Sequence, residues 1–468
     1  MSEDFDWLGE DDLSALVKRF DAMLKAEMQY FFDVDEFEAI IDYYFEGSNF
    51  EMSQKAAEQA LLQHPGYSGF KIRSARLMAT NKKYYEALEL LNQIELLEPA
   101  NIEIYLTKGE IYSQMNKHEM AIEEYKKSIP YTDLEEEVYA NIAFEYENLN
   151  DYPNTIKYLK KALLFNPNSE NLIHEIAFFF EITGREEEAI EFFTEFLDTN
   201  PYSKVAWFNL GIFYNTLELY EKAIEAYEFT LAIDETFSSA YFNIANSYSG
   251  LNFYKKSIQY YRETFKYEDP EPITYYYIGE SYENLDDFDS AVDNFNKALE
   301  LDDKLAEAWA GIGRIHSKRY DEKKAVKYYQ KAIDIVPLNS EFKYELAMIY
   351  FKNNSIDKAR ILFKDIVNHD SQNIESWINY SVCETINGGY DKAIDVIEDA
   401  IESNKTEATL WYRLAGLLYR SGKVQQAYYY IETALKMDFT KHSELTSFLP
   451  EINNESRFIE LLGIYSNK

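Results

Sequence analysis

The sequence predicts an all-α solenoid of about twelve 34-residue helix-turn-helix repeats closed by helical caps. Three observations predict it: a strict 34-residue period, small residues recurring at two fixed places of that period, and 16% aromatic content with only 16 glycines and 10 prolines in 468 residues. A frame begun at Val34 runs twelve times to Lys441 without insertion or deletion. Self-similarity at such a period marks stacked units, each too small to bury its apolar face alone. The twentieth place holds Ser53, Ala87, Ala121, Thr155, Ala189, Ala223, Ser257, Ala291, Ala325, Ala359, Ala393 and Ala427, all small. The eighth place is small in eleven of the twelve repeats, with Gly109, Gly211, Gly279 and Gly313 among them and Ile41 the exception.

Each repeat reads as two amphipathic helices. Places four, seven, eight and eleven share one helical face, as do twenty, twenty-four and twenty-seven, because residues three, four and seven apart lie above one another. Small residues at the eighth and twentieth places let the two backbones approach to the short end of the usual spacing of about 8–10 Å. Bulky rings at the fourth, eleventh and twenty-fourth places then fill the space beside that contact. The fourth place holds Trp207, Trp309, Trp377 and Trp411, and the eleventh is usually Tyr, as in Tyr214 and Tyr282. The turn between the helices is polar, as in Leu285-Asp286-Asp287-Phe288. Pro65, Pro99, Pro167, Pro201 and Pro337, all at the thirty-second place, follow the second helix because proline cannot continue one.

The ends follow the same logic. Residues 1–33 read as an acidic segment, flexible through Trp7, followed by a capping helix with the stripe Leu13, Leu16, Val17, Phe20 and Leu24. Residues 34–441 form the twelve repeats. Leu445, Phe448, Leu449, Phe458, Ile459, Leu461 and Leu462 then predict capping helices over 442–468, since a terminal repeat otherwise exposes its core-facing side.

This pattern resembles the tetratricopeptide-repeat family, most clearly in repeat six with Trp207, Leu210, Gly211, Tyr214, Ala223 and Tyr227. The acidic lead and the Tyr-, Asn- and Lys-rich style resemble cytosolic scaffold proteins of this family from Bacteroidota. Lys71 and Lys343 stand where an aromatic is expected, and His316 and Glu384 where Tyr is expected. The resemblance implies a right-handed superhelix and a non-enzymatic protein-interaction function. It also implies a concave groove lined by places two, five, six, nine, twelve and thirteen of the first helices.

Composition narrows the function. With 46 Lys and Arg against 83 Asp and Glu, the formal charge is −37, which repels nucleic acid and anionic lipid headgroups. Cys383 is the only cysteine, so an intrachain disulfide is impossible and a reducing, cytoplasmic setting is expected. Apolar runs such as Ile176 to Phe180 are too short to span a bilayer. No phosphate-binding glycine loop, nucleophile elbow or zinc motif is found, and the six histidines fall in different repeats at no ligand spacing. Neither an enzyme nor a cofactor or metal site is expected. His316 reads as a packed ring and Cys383 as a buried, inert thiol.

The groove places supply the candidate site. Asn209 and Asn243 at the sixth place, with Asn215 and Asn246 on the same face, offer amides that can bond the backbone of an extended peptide. Phe208, Phe242, Tyr276 and Tyr344 at the fifth place are either an aromatic lining for apolar side chains or part of the core. Ala308 to Lys331 holds seven bases and two acids. Its Arg314 and Lys318 occupy groove places, as do Lys352, Arg413 and Arg420 further on, so a cationic stripe suited to carboxylates is expected. The clamp used by the family's chaperone-tail binders needs Lys at the fifth place, which no repeat has. The expected partner is a protein or peptide held by a monomer. The alternative is an acidic chaperone or decoy that holds basic clients on its outer surface.

Overall fold

The computed structural model describes residues 10–26 and 29–466, so the acidic lead with Trp7 lies outside the described residues. Among the described residues all regular structure is helical: twenty-seven α-helices and three short 3₁₀ segments. The 34-residue frame is reproduced almost without slippage. Repeat one is Val34–Glu46 and Phe50–Gln63, repeat six Lys204–Thr216 and Tyr220–Ile233, and repeat nine Ala306–Lys318 and Glu322–Ile335. Only Glu135–Asn148 starts a residue early, and only Ile374–Gly388 runs two residues long.

The turn has a fixed backbone form. In eleven repeats the fifteenth place is left-handed, from Ser48 at φ 56° to Gly422 at φ 84°. The next N–H reaches back to the carbonyl of the eleventh place, as Asp287 does to Tyr282 at 3.0 Å, while Asp286 N–H bonds the Glu283 carbonyl at 3.0 Å. This Schellman-type cap satisfies the last carbonyls of the first helix and reverses the chain. Asn, Asp or Gly fills that place in most repeats, because they enter the left-handed region most easily. In repeat eleven the left-handed residue is instead Gly389, one place later, which accounts for the longer helix.

Packing between the paired helices is close. Every twentieth-place residue is buried, with Ala223, Ala291 and Ala325 fully so. The eighth-place glycines do more than let backbones approach: each receives the ring of the twenty-fourth place. A Cβ added to Gly211 would stand 2.5 Å from Tyr227, and one on Gly279 would stand 2.6 Å from Phe295. The fourth-place tryptophans are hydrogen-bond donors as well as fillers. Trp207 Nε1 bonds the Pro201 carbonyl at 2.9 Å, Trp309 that of Asp303 at 2.9 Å, Trp377 that of Ser371 at 3.0 Å and Trp411 that of Lys405 at 3.1 Å. Each ring thereby fastens its repeat to the turn before it.

The departures from pattern carry their own compensation. Buried Lys343 pairs with Asp365, buried Glu384 accepts from Arg360 at 3.1 Å, and His316 stacks on Tyr328 at 5.4 Å. A buried charge is tolerated when a partner of opposite sign and a hydrogen bond accompany it.

The chain divides into two units, residues 1–234 and 235–468. In the first, the leading helix Glu10–Ala26 buries Leu16, Val17, Phe20 and Met23 in one cluster with Phe37, Ile40 and Tyr44 of repeat one. In the second, the trailing helices His442–Phe448 and Ser456–Tyr465 bury Leu445, Leu449, Phe458 and Tyr465 with Tyr412, Ala415, Tyr428 and Ile431. Leu414 and Leu418 belong instead to the cluster with Trp377 and Ile397 of repeat eleven.

Candidate interaction face

Consecutive first helices meet through their groove-place side chains. In the first unit, Arg73 of repeat two bonds Asp42 of repeat one at 2.9 Å and Glu38 at 2.7 Å, and Arg76 reaches Glu110 of repeat three at 3.4 Å. In the second unit the Phe242 ring meets Tyr277 edge-on at 5.8 Å, and Asn379 donates to the Tyr344 hydroxyl at 3.2 Å. Arg73 to Asp42 and Arg314 to Glu283 are both 31 residues apart. That spacing is one repeat less one helical turn.

The expected residues are placed as follows. Asn209 is buried and donates Nδ2 to its own helix at the Val205 carbonyl, 2.8 Å away, and half-buried Asn243 does the same to Ser239 at 2.9 Å. Each amide thus gives one N–H to its own helix, which leaves its second N–H and its carbonyl oxygen. Half-buried Asn246 accepts the buried Tyr261 hydroxyl, and Asn215 is half-buried on the first helix of repeat six. Phe208 leans on Tyr227 at 5.7 Å, Phe242 on Tyr261 at 5.3 Å, Tyr276 on Phe295 at 5.7 Å and Tyr344 on Phe363 at 5.8 Å. All four are half-buried, so each ring packs on its own second helix with one side and keeps another at the surface.

The cationic stripe requires correction. Arg314 Nε lies 2.8 Å from Glu283 Oε1, its other nitrogen 3.4 Å from Glu280, and Lys318 Nζ 2.8 Å from Glu283. Glu283 is 5% exposed at its side chain, so both cations are held by one buried carboxylate. Burial opposes ionisation of Glu283, but Arg314 and Lys318 outweigh it and hold its carboxyl below the usual range. The same pair raises Arg314 against its own desolvation. The two bases are therefore an internal ion-pair network rather than a free positive well. Of the remaining bases, Lys352 is exposed and forms no ion pair among the described residues. Arg413 is half-buried under the Phe448 ring at 3.6 Å, whereas Arg420 stays exposed while donating to the Phe448 carbonyl at 2.9 Å and lying 3.6 Å from Glu451. Burial and neighbouring Arg420 push Arg413 down to about 10.

Two features of the face were missed by residue type alone. Glu283 and Glu280 pair with Arg314 and Lys318 from the preceding repeat, and spacings of 31 to 35 residues, close to one repeat, are the signal that would have found them. In the first unit, Phe144 and Phe178 at the ninth place of repeats four and five are 55% and 53% exposed.

Cys383 is fully buried, and burial followed by the Glu384 charge pushes its thiol up to about 11, far from a nucleophile's range. Burial lowers His316. Among the described residues no cluster of His, Cys, Asp and Glu has the makings of a metal site, and no helix is long and apolar enough to cross a membrane.

Helix pairs of 34-residue period with small residues at their contact define a helical-repeat protein, and comparison with known families gives the same class. Tetratricopeptide-repeat models match residues 102–129, 136–169, 205–235, 238–268, 272–305, 318–378 and 387–438, together more than half of the chain. The chain belongs to the tetratricopeptide-repeat family. Among solved structures it is similar to the MamA protein, at 25% identity over 38% of this chain and 96% of that one, with a TM-score of 0.33. It is similar to YrrB, described as a TPR protein with an unusual peptide-binding site, at 17% identity over 39% and 95%, TM-score 0.31. It is also similar to the APC/C hetero-tetramer Cut9-Hcn1, at 12% identity over 89% and 92%, TM-score 0.40. No curated protein matches the chain.

Proposed function

We propose that the protein is a non-enzymatic interaction scaffold that captures an extended protein segment along the shared face of its first helices. The observation that carries this reading is the continuity of that face in the second unit, where Phe242 meets Tyr277, Arg314 meets Glu283 and Asn379 meets Tyr344 across neighbouring repeats. Half-buried Phe242, Tyr276 and Tyr344 offer rings already fixed by packing, which lowers the entropy lost on binding. Asn243 keeps a carbonyl oxygen for a backbone N–H of the partner. A cytoplasmic location and a monomeric state belong to the same reading.

The test is photo-crosslinking in the native cell from a reactive phenylalanine placed at Tyr276, Tyr344 or, on a second helix, Tyr429. A common partner joined from Tyr276 and Tyr344 but not from Tyr429 is the expected result. Crosslinks from Tyr429 alone overturn it. The second reading, an acidic holder of basic clients on the outer surface, is favoured by the charge of −37. Its affinity falls steeply as salt screens the charges, whereas capture by aromatic and amide groups changes modestly.

A further inference from the structure

The two units differ sharply in charge. Residues 1–234 hold 46 Asp and Glu against 19 Lys and Arg, whereas residues 235–468 hold 37 against 27. In the second unit the groove-place bases Arg314 and Lys318 pair with Glu283 and Glu280. In repeats one and two Arg73 pairs with both Glu38 and Asp42. On the first helices of repeats three, four and five, Ile102–Gln114, Glu135–Asn148 and Glu170–Ile182, this matching stops. Their groove places contain no Lys or Arg.

What stands there is a set of carboxylates beside exposed apolar groups. Arg76 reaches Glu110 at 3.4 Å, but no ion pair among the described residues engages Glu137, Glu147 or Glu175. Burial, with Glu137 and Glu103 nearby, raises Glu110 despite Arg76, and burial with Glu147 raises Glu175. Phe144 and Phe178 repeat the same place in successive repeats, and Ile182 is exposed one turn beyond Phe178. The face thus has two costs in water: phenyl rings left wet and carboxylates crowded without cations. A ligand that is cationic and apolar at once relieves both, since a ring face also attracts an ammonium or guanidinium.

We propose that the first-helix face of repeats three to five docks a partner-protein segment in which Lys or Arg side chains alternate with apolar ones. This rests on the scaffold reading above and names the chemistry of its partner and the place it takes. An acidic segment meets repulsion here, and a nucleic acid does as well.

The probe is a fluorescein-labelled peptide of interspersed lysine and leucine, followed by anisotropy with the full chain. Two companions replace leucine by serine or lysine by glutamate. The lysine-leucine peptide is expected to bind best. Phe144→Ala with Phe178→Ala should weaken it roughly tenfold or more, as for paired anchor residues. Glu137→Gln with Glu175→Gln should weaken it and flatten its salt dependence. Lys323→Ala with Lys327→Ala, exposed on the second helix Glu322–Ile335, should leave it unchanged. Equal binding of the lysine-serine peptide, or indifference to the phenylalanine variant, reduces the face to diffuse charge and overturns the proposal. Loss caused instead by Tyr276→Ala with Tyr344→Ala keeps the scaffold reading and removes this site. Circular dichroism of each variant separates lost binding from lost fold.

Discussion

At the scale of single residues, the repeat is governed by contacts a few tenths of an ångström deep. Replacing a helical glycine by alanine favours the helix by about 1 kcal/mol from backbone entropy. At Gly279 the added methyl meets the Phe295 ring at 2.6 Å, and displacing a fully buried ring costs about 1–3 kcal/mol. The second effect is larger, so Gly279→Ala should lower the chemical-denaturation midpoint. Gly463→Ala is the counterpart: the added Cβ meets nothing within 4 Å, and the change should raise the midpoint. Tyr320 gives the opposite case, a 90% exposed tyrosine at φ 59° where most repeats have Asn, Asp or Gly. Tyr320→Gly is expected to stabilise by about 1 kcal/mol, the rough penalty of a left-handed L-residue, and a lower midpoint would show that the ring earns its strained place. The fourth-place aromatic was legible in the sequence as bulk. Its hydrogen bond to the previous repeat was not, because the acceptor is a backbone carbonyl that looks alike in any sequence.

At the scale of helices, ion pairs and caps join one element to the next. Glu283→Gln removes the carboxylate that holds both Arg314 and Lys318, linking the first helices of repeats eight and nine. Both bases remain partly in solvent, 33% and 47% exposed, so the loss is discounted to about 1–2 kcal/mol. Thermal melts of Glu283→Gln and of Arg314→Ala with Lys318→Ala check this, the double variant being the more severe because it strands the buried carboxylate without a cation. Removing residues 442–468 should be more severe. It uncovers Tyr412, Ala415, Tyr428 and Ile431, and an apolar patch of that kind drives association. Size-exclusion chromatography of the truncated chain is expected to show concentration-dependent oligomers and an earlier melt.

At the scale of the whole molecule, charge dominates. Carboxyls with raised folded values, Glu38, Glu110 and Glu175 in the first unit, bind a proton in the folded chain before the unfolded one. Their contribution to stability therefore rises as pH falls through the window between those raised values and the ordinary 4.5. Glu283, held low, acts with the other sign and loses its contribution only below that ordinary value. Relief of the −37 net charge adds in the same direction as the raised carboxyls. At low salt the melting temperature should thus rise as the pH is lowered from neutrality toward the ordinary carboxyl value of 4.5. Glu110→Gln with Glu175→Gln should lift the value at neutrality and shrink the rise. A flat profile in the parent chain, or a fall on mild acidification, removes the electrostatic account.

The sequence by itself determined the period, the helix pair, the small residues at the helix contact and the capping stripes, because burial at places eight and twenty repeats twelve times and leaves little freedom of register. It also held the Asn, Asp and Gly bias of the reversing turn. Only the tertiary structure decided which charges are free. Arg314 and Lys318 look like a cationic stripe on their own helix, yet one carboxylate of the preceding repeat, Glu283, pairs with both. Arg413 looks equally available until the Phe448 ring covers it. Burial is a property of a residue's place within its own repeat and recurs with the period. Electrostatic pairing depends on what the neighbouring repeat sets opposite that place, and only the stacking of helices fixes it.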